Sequence, residues 1–144
     1  MTTEESLYPA GATSIAPVLT IRNGVTDIDF YKNAFGAVEH WRLNNDDGSV
    51  HVAEFFIDTA MFHIHEITQF AKTASPEVQL PTAKIGLMIA DVHGFFDKAV
   101  AAGAEIVDPV KDYEYGYRQG ELKDPFGHNW VIQCRIPADP NWQG

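Results

Sequence analysis

His63 and His65 stand two residues apart in Met61-Phe62-His63-Ile64-His65, where apolar and polar residues alternate as in a strand. Side chains of a strand alternate between its faces, so both imidazoles share a side with Met61, while Phe62 and Ile64 take the other. Imidazole titrates nearest neutral pH, so two of them on one face suit proton transfer or polar contact with an oxygen-rich ligand. His63 and His65 are therefore the candidate catalytic residues, and Met61 a candidate ligand contact. A His-x-His pair also suits a metal ion if a third ligand joins it. His51 and Glu54 on the preceding strand are the nearest candidates, but being three apart they face opposite sides.

The last strand supplies a second set. Asn129, Val131 and Gln133 share one face at the last strand, Trp130–Ile136, and Trp130, Ile132 and Cys134 share the other. The first three are candidate ligand contacts, and Cys134 reads as a core thiol. Tyr113, Tyr115, Tyr117 and Arg118 form an aromatic and cationic cluster in which Tyr115 and Tyr117 suit an aromatic ligand and Arg118 an anionic group. The alternative is a loop in which Arg118 pairs with Glu121 or Asp124. Trp41 and Phe55 are further wall candidates, and Trp142 a possible cap. In Asp124-Pro125-Phe126-Gly127-His128, Asp124 is expected to accept turn amides and His128 to stabilise the turn.

These residues need elements to hold them. Ile15–Ile21 reads as a strand with Pro17 marking an edge or a bulge. A helix is expected from about Thr26 to Phe35, capped by Thr26 or Asp27 and stopped by Gly36. Val38–Leu43, the turn Asn44–Gly48, Val50–Ile57 and Ala60–Ile67 follow as strands. The second half repeats this order: strand Ile85–Ala90, helix Gly94–Ala102 capped by Asp91 or His93, then strands Glu105–Val107, Gly116–Lys123 and Trp130–Ile136. An offset of roughly 67 residues superposes the halves, which makes a duplicated βαβββ module rather than a solenoid of at least about three repeats. Residues 1–12 read as a flexible lead, Gln69–Thr82 as the link between modules 13–68 and 83–136, and 137–144 as an irregular tail.

The 144 residues suffice for one domain, and 45% hydrophobic residues suffice for its core. No apolar run reaches the length of about 18 residues that a membrane span needs. A net charge of −10, with ten scattered Lys and Arg, argues against nucleic acid. The acidic start Met1-Thr2-Thr3-Glu4-Glu5 does not resemble a signal peptide, and one cysteine suits a reducing compartment, so a cytoplasmic protein is expected. No nucleophile elbow or phosphate-cradling glycine loop is present.

On Ile28–Ala37, Ala101–Ala104 and Asp124–His128, residues 13–136 resemble the vicinal oxygen chelate superfamily of glyoxalase, bleomycin-resistance and extradiol-dioxygenase proteins. The last motif resembles the branch filed beside phosphonate-utilisation operons. The resemblance implies an α+β fold of two tandem βαβββ modules forming a curved mixed sheet around a cavity, within one chain or across a homodimer. It also implies four metal-ligand positions, which fall here on Ala16, His63, Ile85 and Val131. Three of these carry no donor, so no metal residue is assigned and no cofactor expected. Thr20 stands where glutathione-using relatives carry a basic residue. The expected function is metal-free binding of a small organic molecule. The alternative is a glyoxalase-type lyase or isomerase that uses a metal at a non-standard site.

Overall fold

The computed structural model describes Gly11, residues 13–67 and residues 82–144. Apart from Gly11 and Thr82, the expected lead and the expected intermodule segment lie outside these residues. The chain runs β1 (Val18–Ile21), α1 (Phe30–Phe35), β2 (Val38–Asn44), β3 (Val50–Ile57) and β4 (Ala60–Glu66). The second module runs β5 (Ile85–Met88), α2 (Val92–Ala101), β6 (Glu105–Tyr113), β7 (Tyr117–Lys123) and β8 (Asn129–Arg135). Each module folds into one four-stranded sheet, in the orders β1-β4-β3-β2 and β5-β8-β7-β6. The first strand of each module pairs in parallel with the last, and the remaining pairs are antiparallel. The repeat seen in the sequence is thus a repeat of sheet topology, and neither sheet closes on itself.

One face of each sheet packs on the helices. Tyr31 of α1 is fully buried, with ring centroids 5.2 Å from Phe62, 5.7 Å from Phe55 and 6.1 Å from Trp130. Its hydroxyl donates to Asp124 Oδ2 at 2.7 Å, and Trp130 Nε1 donates to the same oxygen at 3.0 Å. The other carboxylate oxygen takes the amides of Phe126 and His128 at 2.9 and 3.0 Å. Asp124 therefore accepts turn amides, as its motif suggests, and also ties the first module's helix to the second module. Burial, and then the neighbouring Asp124 charge, push the Tyr31 phenol above its usual range, so it remains a donor.

Several local expectations differ from what the chain does. The first helix begins at Phe30, not near Thr26, because Asp27 Oδ1 accepts the Asp29 amide at 2.9 Å and closes a turn ahead of it. Asp29 holds the cap position without a side-chain cap bond, and Gly36, at φ 63°, stops the helix as expected. Asp91 caps α2 by accepting the Gly94 amide at 3.0 Å. The β1 strand is shorter than Ile15–Ile21, since Pro17 has no N–H to contribute, although its carbonyl still accepts His63 N at 2.9 Å. Conversely, β6 runs on past Val107 to Tyr113. Its register is irregular between Ile106 and Lys111, around Pro109, which an edge strand tolerates.

Candidate functional site

Phe62 and Ile64 are buried against the helical side, which puts Met61, His63 and His65 of β4 on the opposite, open face. Cross-strand partners share a face, and β3 pairs Glu54 with His63 and Val52 with His65. Glu54 is only 3% exposed. Its Oε1 lies 2.9 Å from His63 Nε2, and its Oε2 lies 2.5 Å from His40 Nδ1. A buried carboxylate needs such partners, since an isolated one is strongly disfavoured.

His40 reaches this place through an irregularity in β2. The pairing register shifts between Glu39 and Trp41, so His40 is the extra residue of a bulge. The Trp41 ring stands 6.1 Å from His63, and the His40 ring lies edge-on to Phe56 at 5.8 Å. Two consecutive residues thus approach the same patch, which strict alternation forbids. Sequence reading missed His40 for this reason and weighed Glu54 only as a metal ligand. A lone carboxylate within Val50–Ile57 was the available signal.

His65 and His51 belong to a neighbouring cluster at the strand ends. His65 Nδ1 lies 2.8 Å from the Glu66 carbonyl, and its ring is 5.0 Å from that of His51. Glu66 takes His51 Nδ1 at 2.8 Å, Asn23 at 2.8 Å and Asn45 at 3.1 Å. The His51 bond first, then those from Asn23 and Asn45, hold its carboxyl down at about 2. His51 and Glu54 thus serve different partners.

Phe55 is fully buried in the aromatic core, 5.4 Å from Phe62, and so does not stand on the open face with Trp41. Strand alternation gives that side to Glu54 and Phe56. On β8, Trp130 and Ile132 are buried while Val131 and Gln133 are part-exposed on the other face. Asn129 is buried, and its amide donates to Glu121 Oε2 at 2.7 Å. Cys134 packs against the core.

Arg118 pairs with neither Glu121 nor Asp124. Its Nε and one terminal nitrogen meet the two oxygens of Asp112 at 2.7 and 3.1 Å, across the β6–β7 hairpin. Tyr115 stacks on Tyr113 at 5.3 Å and meets Tyr117 at 5.9 Å and Trp142 at 6.4 Å. The hairpin and the chain's last residues thus form a surface aromatic cluster.

The resemblance implied metal positions that the register allows to be recounted. Opposite His63 stands Val18, not Ala16, and opposite Val131 stands Gly86, not Ile85, whose side chain packs toward the core. A side chain at Gly86 would begin 2.8 Å from Gln133 Nε2. Val18, Gly86 and Val131 offer no side-chain donor, so the residues present do not fit a four-ligand metal site. Among the described residues, no group of three or more His, Cys, Asp or Glu is placed to hold a metal ion.

Two cavities lie along the seam between the two modules. One, of 420 Å³, is walled mainly by apolar residues, including Ile15, Met61, Ile85, Leu87 and Trp130. The other, of 530 Å³, lies against Val18, Thr20, His128 and Asn129. The buried Nε2 of His128 has no hydrogen-bond partner among the described residues. Met61 and Asn129 are the two expected site residues that line these cavities, one in each.

Solved structures share this arrangement. TioX from Micromonospora sp. ML1 superposes with a TM-score of 0.62 at 22% identity, covering 85% of this chain and all of TioX. A gene product of Arabidopsis thaliana gives 0.64 at 24% identity over 84% and 98% of the two chains. The fosfomycin resistance protein FosX from Mesorhizobium loti gives 0.59 at 14% identity over 85% and 91%. At these identities the likeness concerns the fold. In sequence, an uncharacterised protein of Mycobacterium bovis is 34% identical over 124 residues, covering 83% of this chain and 81% of its own. Among the described residues no helix is long and apolar enough to cross a membrane. Residues 23–132 match the profile of the family described as Glyoxalase/Bleomycin resistance protein/Dioxygenase superfamily, and the chain belongs to that superfamily.

Proposed function

We propose that the protein binds a small, largely apolar organic molecule at the seam between its two modules, without the metal its relatives' site positions would hold. The 420 Å³ cavity carries this reading. Its walls suit an aromatic or aliphatic body, and Met61 adapts to irregular shapes. His63 lies two residues further along the same face of β4, about 7 Å away. A ligand seated beside Met61 thus has a polar group within its own length to meet. His65, Val131 and Gln133 are further contacts of that open face, and Trp41 its aromatic rim.

Ligand-observed saturation-transfer NMR with α-hydroxyacetophenone, an uncharged molecule with an aromatic body and a polar end, tests this. Wild type should give transfer to the ring protons. Leu87→Trp, which fills the cavity, should weaken binding at least tenfold. Equal affinity in the filled variant, with the fold intact by circular dichroism, would remove the seam from the binding site.

A further inference from the structure

Glu54 is an expensive residue for a sheet to bury unless its charge is used. Both its oxygens are taken by imidazoles, His63 on one and His40 on the other. Nε2 of His63 donates to the carboxylate, which leaves Nδ1 as the lone-pair nitrogen of the neutral ring. Nδ1 makes no hydrogen bond among the described residues, and the His63 side chain is 29% exposed. A ring held by a carboxylate at one nitrogen and open at the other is arranged as a general base, with the carboxylate stabilising the imidazolium that forms.

The surroundings narrow the substrate. Arg42 pairs with Ala53 on the helical face of the sheet, where Glu39 holds it at 2.9 and 2.6 Å, and Lys32 of α1 lies 3.9 Å from the same Glu39 side chain, so neither cation stands on the face of His63. An anionic substrate would therefore meet the Glu54 charge with neither of these cations on its side of the sheet. Trp41 beside His63, and Met61 on the same strand, favour an uncharged body.

We propose that His63, held by Glu54 and steadied through it by His40, removes a proton from the carbon next to the carbonyl of an uncharged α-hydroxyketone, making the protein an isomerase. This rests on the binding reading above and adds a reaction to it. The C–H electron pair becomes the new C=C bond as the carbonyl oxygen takes the charge, and the proton goes to His63 Nδ1. Its return to the neighbouring carbon, with proton transfer between the two oxygens, completes the hydroxyketone–hydroxyaldehyde exchange. No oxidant or reductant enters. His63 is the catalytic residue; Glu54 and His40 are positioning residues.

The experiment follows α-hydroxyacetophenone in D2O by proton NMR, watching loss of its CH2 signal beyond the buffer rate. Wild type should exchange, and His63→Ala should lose about 10²-fold or more, the usual contribution of a positioned base. Glu54→Gln should lower the rate and move the midpoint of the pH–rate profile. His40→Ala should also move that midpoint, which a merely structural role would not do. Should Glu54→Gln fail to fold, His63→Gln, on the part-exposed partner, carries the test alone. Binding without exchange in wild type overturns the relay and leaves the binding reading standing. Neither binding nor exchange overturns both. Exchange that survives His63→Ala also overturns the relay.

Discussion

At the scale of single residues, the polar groups that matter here are carboxylates with several partners each. Asp124 is 4% exposed and serves four donors: the Tyr31 hydroxyl, the Trp130 indole and two turn amides. Replacing it with Ala strands those donors, each worth about 1–3 kcal/mol when buried and unpaired. Asp124→Ala should therefore lose more than about 3 kcal/mol in urea unfolding, while Asp112→Ala, which frees the part-exposed Arg118 from a solvent-screened pair, should leave the unfolding midpoint nearly unchanged. Equal losses would mean that Asp124 is not the junction of the modules. Glu66 makes a pH prediction. Its folded carboxyl is held at about 2, against an ordinary 4.5, by His51, Asn23 and Asn45. A depressed carboxyl stabilises the fold fully above the unfolded value and loses that contribution as pH falls from 4.5 through 2. Wild type should thus weaken over that window more steeply than Glu66→Gln in low-salt buffer. Parallel curves would show that the Glu66 network does not couple to folding.

At the scale of elements, regular periodicity was readable and departures from it were not. Phe62 and Ile64 fixed the phase of β4, so the side occupied by His63 and His65 could be read from alternation, as could that of Trp130 and Ile132 on β8. Gly36 and Asp91 marked helix boundaries because each has one physical reason to stand there, a left-handed backbone and a cap bond. The His40 bulge carries no side-chain signature, since it is a shift in pairing that needs the partner strand to be seen. Phe55 was placed with Trp41 on aromatic character alone, when its register opposite the buried Phe62 assigns it to the core. The metal positions slipped by one and two residues for the same reason, because counting along one strand does not give the register between two. Two glycines test how tightly elements meet. A Cβ at Gly120 would lie 2.6 Å from Phe96 of α2 and 2.9 Å from Val110, so Gly120→Ala should cost about 1–3 kcal/mol by overpacking. Gly86→Ala meets only the end of the Gln133 side chain, which can swing away, and should cost less. Comparable losses in thermal unfolding would contradict close α2–β7 packing.

At the scale of the whole molecule, both sheets end in open edges among the described residues. The strands β1 and β2 bound one sheet, and β5 and β6 bound the other. Apolar side chains stand exposed on or beside them: Val18 is 61% exposed, Val38 66%, Leu43 55%, Met88 53% and Ile106 49%. Unpaired edges beside apolar surface invite pairing with another chain, which proteins suppress with charge or cover with a partner. Charge does part of this work on β6, where Asp108, Lys111 and Asp112 interrupt the apolar residues. On β1, the run Val18-Leu19-Thr20-Ile21 contains no charge at all. A twofold partner that sets one copy's open face against the other's would cover β1 and β5 together and enclose His63 from above, since an isologous contact brings the same patch from both chains. The expected outcome is a species of twice the 16.0 kDa chain mass in sedimentation at micromolar concentration. Val18→Lys places a charge at the start of that edge, leaves the buried face of β1 untouched, and should shift the distribution toward monomer. If the dimer is also what shields the ligand, the same variant should weaken α-hydroxyacetophenone binding in proportion to the monomer formed. A single 16.0 kDa species in wild type would show that these edges stay bare and that the site is complete within one chain.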